Sequence, residues 1–250
     1  MIIYMKSKEE IAAFKEVGGI ASKILKELMS SAKPGVSTKV LDELAIRLCK
    51  ENEVNPIFLG HQGFPAAICT SKNKVLVHGV PDDVPLKEED LLSIDIGVER
   101  DGYIGDTAKT VCVGVDELDI AIQCNKALMA AIDKAVAGNK LNDVAKVIVS
   151  AAKSCGYTIP MNYGGHGIDR YKLHSDPFVS NYPLHYHDLT LRVGMVFAIE
   201  PMFIYSKNNS TKVSDENGWS VIANGPSAHC EHTIAITESG AIVLTEEGSQ

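Results

Sequence analysis

Apolar positions near the start of the chain recur with the period of an α-helix. Ser7 and Glu10 have the spacing of a capping box, and apolar side chains then follow at helical spacing until a Pro-Gly pair ends the segment. A second amphipathic segment begins near Ser37 and ends by Asn52. Two outer helices are therefore expected at the start of the chain.

From about Ala66 to Gly114 the pattern changes to short β-rich runs broken by Gly, Pro and Asp. Two of these runs, Leu91–Val98 and Tyr103–Val113, flank the pair Asp101-Gly102. That dipeptide is typical of a tight hairpin turn. The segment is therefore predicted to contain a β-hairpin.

The second half of the chain repeats this order. Its predicted helices are Leu118–Ala137 and Asn142–Cys155, and its predicted strands are Met195–Tyr205, Glu231–Thr237 and Ala241–Leu244. We therefore expect an α+β fold with a duplicated unit, in which helices cover one face of an antiparallel sheet. Chance recurrence is the alternative, because the halves share no visible identity. The stretch Tyr157–Val193, rich in Gly, Pro, Tyr and His, is expected to be a long functional loop.

Composition and charge narrow the class of protein. With 250 residues and 45% hydrophobic content, the chain is expected to form one domain over residues 1–250. Its net charge of -8 argues against a nucleic-acid or anionic-membrane surface and favours peptide or small-molecule partners. The cysteines are scattered, the N-terminus turns polar after a few residues, and the chain has no long apolar run. These features indicate a cytoplasmic protein with reduced thiols.

Two aspartates lie on opposite arms of the predicted hairpin. If Asp101 and Gly102 are the central turn residues, the register of the two strands follows. Asp95 then stands opposite Ala108, and Asp106 is its diagonal neighbour on the same face. The strand around Asp95 is apolar, and buried paired carboxylates stay ionised only if a cation lies between them. Alone, such a pair is more often a turn cap and an edge charge.

Two glutamates and a histidine extend this set. Glu200 ends a strongly apolar run, Glu231 begins another, and His166 has a glycine on each side that leaves its imidazole uncrowded. Four carboxylates and one imidazole match the ligands of borderline divalent ions such as Mn, Fe(II), Co or Zn. Two such ions balance the four negative charges, whereas one leaves half of them uncompensated. A dinuclear metal site is therefore expected.

Several short motifs follow one another along the chain. They are Asn73–Pro81, Ile94-Asp95, Gly105–Thr107, Gly165–Ile168, His174, Ile199–Met202 and Glu231–Thr233. In this order they resemble the motifs of the type I methionine aminopeptidases, and the likeness covers essentially the whole chain. The resemblance implies the pita-bread fold, whose internal pseudo-twofold agrees with the repeated order of elements.

The resemblance also implies roles for individual residues. Carried over by position, the ligands of two divalent ions (Co, Mn, Fe(II) or Zn) are Asp95, Asp106, His166, Glu200 and Glu231. Asp106 and Glu231 would be shared by both ions. The implied reaction is hydrolysis of the first peptide bond by a water whose pKa the ions lower, releasing N-terminal methionine. Glu200 would move the proton, His174 would stabilise the oxyanion, and His78 would bind near the scissile amide.

One departure from the family pattern precedes His174. Asp169 occupies a position that is usually glycine, and His174 follows His166 by eight residues rather than the usual seven. The insertion is expected to threaten the placement of His174, because a shift of about 1 Å at a catalytic group can cost on the order of a hundredfold in rate. His185 and His187 are the fallback candidates.

The pocket for the N-terminal side chain departs as well. By resemblance its walls are Phe58, His61, Phe64, Cys69 and Trp219. Phe58 stands where the family more often has a small residue, and it could fill space that a methionine side chain needs. Trp219 matches a pocket position, although a single Trp is by default a packing residue.

Three alternatives stay open beside methionine removal. One is an aminopeptidase of the same fold with another N-terminal preference, and another is a non-catalytic paralogue that binds metal or peptide. A proline-directed peptidase of this fold is the third, although that group normally carries an additional N-terminal domain. The expected partner is the N-terminus of a peptide or nascent chain, with ribosome contact left open. A cytoplasmic monomer without nucleic-acid or membrane binding is expected.

Overall fold

The computed structural model describes residues 2–116, 118–184 and 188–246. In these ranges the helices are α1 (Lys8–Ser31), α2 (Thr38–Glu51), α3 (Asp119–Lys134) and α4 (Leu141–Ser154). The strands are β1 (Asn55–Pro56), β2 (Cys69–Lys72), β3 (Val75–Val77), β4 (Leu91–Arg100), β5 (Tyr103–Cys112), β6 (Gly164–Asp169), β7 (Lys172–Ser180), β8 (Val196–Ile199), β9 (Met202–Ile204), β10 (Thr211–Val213), β11 (Val221–Ala223), β12 (Ser227–His229), β13 (Glu231–Thr237) and β14 (Gly240–Val243).

Helix α1 begins where the capping pattern predicts. The Glu10 backbone N–H donates to Ser7 Oγ at 3.2 Å, and the Ser7 N–H donates to the Glu10 carboxylate at 2.8 Å. These two bonds satisfy backbone donors that the first turn leaves unpaired. The apolar stripe of α1 packs on β4 and β5, and the buried Phe14 and Leu28 lie on it. None of the described helices is both long and apolar enough to cross a bilayer.

The hairpin β4–β5 has the predicted register. Asp101 and Gly102 form its turn with φ angles of 53° and 85°, the left-handed values that a type I′ turn requires. Asp95 pairs with Ala108, as predicted from the turn. Alternate residues of β4, Ile94 among them, pack in the core beneath α1, so Asp95 points to the opposite face of the sheet.

The main sheet has the strand order β1-β4-β5-β13-β8-β6-β7, with β2 paired to β4 and β14 paired to β13. All these pairings are antiparallel. Each half of the chain supplies two helices followed by a hairpin, β4–β5 in the first and β6–β7 in the second. Helices α1, α3 and α4 pack on this sheet. The duplicated α+β order predicted from the pattern is therefore present.

Two sequence predictions are wrong in the second half. The stretch Tyr157–Val193 is not one long loop, because it contains the β6–β7 hairpin. Its glycines and polar residues hide the alternation that marks a strand. The predicted strand Met195–Tyr205 is broken at Glu200-Pro201, because proline cannot donate to a strand ladder. After the break, β9 pairs with β12 in a separate small sheet.

Candidate active site

Neighbouring strands of the main sheet bring the predicted acids and histidine together. Strands β4, β5, β13, β8 and β6 are consecutive in the sheet order. They carry, on the strand or directly after it, Asp95, Asp106, Glu231, Glu200 and His166, respectively. All four acids are buried. The cluster therefore combines residues from both halves of the chain, which only the folded sheet brings into contact.

The glycines beside His166 permit close packing of three strands. A Cβ atom on Gly165 would lie 2.1 Å from the carbonyl oxygen of Ala198, and one on Gly167 would lie 1.9 Å from that of Asp176. No side chain fits at such distances. These glycines let β6 lie against β7 and β8, and that packing sets the position of the His166 ring.

The donor atoms of the cluster lie at spacings that suit metal coordination. His166 Nε2 is 3.5 Å from Asp106 Oδ2 and 4.0 Å from Glu200 Oε1. His229 Nε2 is 3.3 Å from Glu200 Oε2 and 3.8 Å from Glu231 Oε2. Two groups of possible ligands share Glu231, one completed by Asp106 and His166 and the other by Glu200 and His229. Within each group the donor atoms lie within 4.8 Å of one another.

Several carboxylate oxygens in the cluster are buried without a hydrogen bond. Asp95 Oδ1, Asp106 Oδ1 and Glu231 Oε1 have no partner among the described residues. Burial, with the charges of neighbouring carboxylates, raises the pKa of Asp95 and of Glu231 well above the usual values. Burial also raises the pKa of Asp106, although His166 opposes this effect. A divalent cation would supply the missing partner and balance these charges, so the residues fit a metal site.

The pKa values of Glu200 and His166 are shifted toward the charged form of each group. Burial acts to raise the pKa of Glu200, but contact with His229 and the charges of His229, His166 and His78 outweigh it, so the pKa is lowered. Burial acts to lower the pKa of His166, but its contact with Asp106 and that carboxylate's charge outweigh it, so the pKa is raised. Glu200 is therefore the acid of the cluster that is ionised most readily.

The structure places His174 beside the cluster despite the inserted residue. The β6–β7 pairing shifts its register on either side of Gly167. The ring centroid of His174 lies 4.3 Å from that of His166, and its Nδ1 lies 3.2 Å from His61 Nε2. Enclosure in the cavity, with the charges of these two histidines, lowers the pKa of His174 to about 4. The fallback candidates, residues 185 and 187, lie outside the described ranges.

Asp169, at the position where the resemblance predicts glycine, has a structural partner. Its carboxylate forms an ion pair with Lys6 Nζ, and the side chains of Lys6 and Asp169 are only 6% and 14% exposed. Lys6 Nζ also donates to the carbonyl of Tyr4 at 2.7 Å. The ion pair of Asp169 with Lys6 therefore joins the segment before α1 to the β6–β7 hairpin.

His78 has a backbone conformation that is rare for a residue with a side chain. Its φ angle is 56°, in the left-handed region. Such conformations cost energy and persist where the surrounding structure imposes them, often at functional sites. Burial lowers the pKa of His78, which favours the neutral imidazole.

All sequence-predicted site residues line one cavity of about 160 Å³. They are Phe58, His61, Phe64, Cys69, His78, Asp95, Asp106, His166, His174, Glu200, Trp219 and Glu231. One end is apolar: the rings of Phe64 and Trp219 meet edge to face at 5.4 Å, and Phe58 packs so closely on Gly97 that a Cβ there would lie 2.5 Å away. A second cavity of about 420 Å³ shares His78, His166, His174 and Glu200 with the first.

Three of the described residues at this site were not predicted from the sequence. Gln62 and Leu173 also line the cavity, and His229 contacts the carboxylates. A signal for His229 was present, because it precedes Glu231 by two residues and alternate residues of an extended segment share a face. Its partner Glu200 is distant in sequence, and only the folded sheet brings the two together.

A cluster of buried acids and imidazoles in a cleft, on a helix-covered antiparallel sheet, defines a metal-dependent hydrolase. The chain belongs to metallopeptidase family M24, whose family model matches residues 12–238. It is 39% identical to the methionine aminopeptidase of Aquifex aeolicus over 260 residues, covering 98% of this chain and 100% of the relative. It also matches the crystal structure of methionine aminopeptidase from Rickettsia prowazekii with a TM-score of 0.93 and 34% identity. The match covers 98% of this chain and 100% of that chain.

A prolidase from Pyrococcus furiosus is similar in fold. Its TM-score is 0.77 at 24% sequence identity, over 98% of this chain and 66% of that one. The pita-bread fold implied by the sequence motifs is therefore confirmed, and so is membership of a metal-dependent peptidase family.

Proposed function

We propose that this chain removes N-terminal methionine from peptides and nascent chains by metal-dependent hydrolysis. The observation that carries the proposal is a set of buried carboxylate oxygens, without a partner in the described part of the chain, at one end of a cavity whose other end is apolar. The carboxylate end would hold the metal, and the apolar end would hold the side chain of the residue to be removed. The methionine aminopeptidases of Aquifex aeolicus and Rickettsia prowazekii, which match over essentially their whole length, support this assignment.

We propose two divalent ions, bound by the five predicted ligands. These are Asp95, Asp106, His166, Glu200 and Glu231, with Asp106 and Glu231 shared. Support comes from the four buried carboxylates and from the position of Glu231, which has donor atoms within 4.8 Å of those of Asp106 and His166 and of Glu200. The oxygen and nitrogen donors suit Mn, Co, Fe(II) or Zn. When bound, such ions lower the pKa of water and polarise a carbonyl.

The remaining chemistry would come from three side chains. Glu200, whose pKa is lowered, is available to accept the proton of the attacking water and return it to the leaving amine. His174 would donate a hydrogen bond from its neutral ring to the developing oxyanion, consistent with its pKa of about 4. His78 lines both cavities, so it is suited to bind the substrate backbone at the scissile amide.

The apolar end of the cavity suits a methionine side chain. Two aromatic rings, Phe64 and Trp219, and the uncharged thiol of Cys69 offer soft, polarizable contacts to a thioether. Burial raises the pKa of Cys69 well above its usual value, so this wall carries no charge. The larger second cavity would accommodate the residues that follow the first peptide bond.

A panel of tripeptides tests this assignment. Hydrolysis of Met-Ala-Ser is compared with that of Leu-Ala-Ser and Ala-Ala-Ser in the presence of Mn, Co or Fe(II). We expect kcat/KM for the methionyl peptide to exceed that for the leucyl peptide by about 10-fold or more, as one pocket contact allows. Faster cleavage of the leucyl or alanyl peptide would point to the altered preference that Phe58 suggests. No turnover with any metal would favour the non-catalytic paralogue.

We further propose that residues 1–250 form one catalytic domain that acts as a cytoplasmic monomer on nascent-chain N-termini. The family match spans residues 12–238, and no disulfide joins the cysteines of the described ranges. Sedimentation of the purified protein, alone and with ribosomes, tests the monomer and the ribosome contact that the sequence left open. A dimer in solution would contradict the proposed monomer.

A further inference from the structure

A second imidazole lies beside the carboxylates and has no role in the reaction described above. His229 is 2% exposed, and its Nε2 lies 3.3 Å from Glu200 Oε2. That distance is short enough for a hydrogen bond, but within the described residues no partner of this nitrogen has an acceptable angle. A buried ring nitrogen facing a carboxylate without a well-formed bond requires an explanation.

The backbone of His229 is fixed from two sides. Its N–H donates to Thr110 Oγ1 at 2.9 Å, and its carbonyl accepts from the same hydroxyl at 2.8 Å. On the other side β12 pairs with β9, where His229 stands opposite Met202, two residues after Glu200. His229 is therefore held close to Glu200 by the small β9–β12 sheet on one side and by Thr110 of β5 on the other.

The two oxygens of Glu200 face different histidines. Oε1 lies 4.0 Å from His166 Nε2, on the side of the proposed metal ligands, whereas Oε2 lies 3.3 Å from His229 Nε2. Carboxylates that bind metal are commonly oriented by a hydrogen bond from a group that does not bind it. His229 is close enough to Glu200 for this role, while its distance of 3.8 Å from Glu231 is too long for a hydrogen bond.

We propose that His229 is a positioning residue, whose Nε2–H donates to Glu200 Oε2. This bond would fix the carboxylate so that Oε1 is available to bind metal and to accept the proton. A small rotation of the ring would align this bond. The inference rests on the proposed function, because His229 acts only through Glu200. Direct binding of metal by His229 is the competing role, and one ring nitrogen cannot both donate a hydrogen bond and bind an ion.

Two substitutions of His229 separate the effect of its N–H donor from the effect of the volume of its ring. His229→Gln keeps an N–H at a similar reach, whereas His229→Leu fills the space without a donor. His232→Leu is the control, because His232 is a partly buried histidine on the face of β13 opposite to Glu231, where its Nδ1 contacts Thr245 Oγ1. The metal-free wild type and the three variants are titrated with Mn(II) by calorimetry.

We expect His229→Leu to weaken Mn(II) binding by about 10- to 100-fold, the usual effect of losing an outer-shell partner. His229→Gln and His232→Leu should bind close to wild type. The kcat for Met-Ala-Ser should fall in His229→Leu and recover in His229→Gln, with KM unchanged. If His229→Leu does not fold, electron spin-echo spectra of the Mn(II)-loaded wild type and His229→Gln still distinguish a hydrogen-bonding His229 from one that binds metal. Both proteins should show one coordinated imidazole.

Three results would overturn the role of His229. They are wild-type affinity in a folded His229→Leu, an equal loss in His232→Leu, and a second coordinated imidazole in the wild type that His229→Gln lacks. The wild type separates this inference from the proposed function. If it neither binds Mn(II) nor cleaves Met-Ala-Ser, both fail; if it does both and His229→Leu matches it, only the role of His229 fails.

Discussion

Asp95 illustrates how an acid of the site with a raised pKa opposes folding until a cation binds. Burial and the charges of Asp106 and Glu200 raise its pKa in the folded chain. The charged form is therefore penalised in the fold, and this cost appears as the pH rises above the ordinary carboxyl pKa toward the raised one. At neutral pH the metal-free protein should bear this cost, and metal should remove it.

Asp95→Asn should therefore stabilise the metal-free protein at pH 7 while weakening metal binding. We expect a gain in the free energy of unfolding of about 1 to 3 kcal/mol, the cost of a buried group without a partner. Urea unfolding in EDTA and in Mn(II) measures both effects. Asp101→Asn, in the exposed turn of the same hairpin, is the control. A variant less stable than wild type in EDTA would contradict this explanation.

His174 is expected to act on the substrate and not on the metal. Its pKa of about 4 keeps the ring neutral from pH 5 upward, so it can donate a hydrogen bond without a charge change. His174→Ala should lower kcat for Met-Ala-Ser by about 100- to 1,000-fold, as for loss of one oxyanion donor. Mn(II) affinity, measured by calorimetry, should stay near wild type. A parallel loss of metal affinity would show that His174 supports the cluster instead.

At the scale of elements, the Lys6–Asp169 ion pair joins the N-terminal segment to the β6–β7 hairpin. Both side chains are largely buried, so removing one charge leaves the other without its partner. Asp169→Asn should lower the free energy of unfolding by about 3 kcal/mol. Adding Lys6→Met should recover part of that loss, because the uncompensated charge is then gone. Urea unfolding of the two single variants and the double variant measures this coupling, and additive losses would contradict it.

The elements also show which parts of the fold local sequence can predict. The register of β4–β5 follows from one turn, Asp101-Gly102, so the convergence of Asp95 and Asp106 was predictable. The β6–β7 hairpin was not, because its glycines and polar residues hide the alternation of a strand, and the close contact of Gly165 is with Ala198 of the distant β8. His229 was missed for the same reason, since its partner Glu200 reaches it only through the pairing of β9 with β12.

In the whole molecule, the site depends on pairings between distant strands. Strand β13 lies between β5 and β8, and this arrangement brings Glu231 from the end of the chain to Asp106 from its first half. Composition and motifs predicted the type of ligand, whereas the sheet order sets the distances between them. Metal bound by all five proposed ligands would connect five strands, so it should stabilise the whole fold and not one loop.

We expect this metal-dependent peptidase to release N-terminal methionine from its substrates. The most direct measurement is methionine release from Met-Ala-Ser by EDTA-treated protein during titration with Mn(II). We predict no release in EDTA and a rise in activity that levels off near two equivalents of metal. Release that persists in EDTA, or no release with Mn, Co, Fe(II) or Zn, would contradict it.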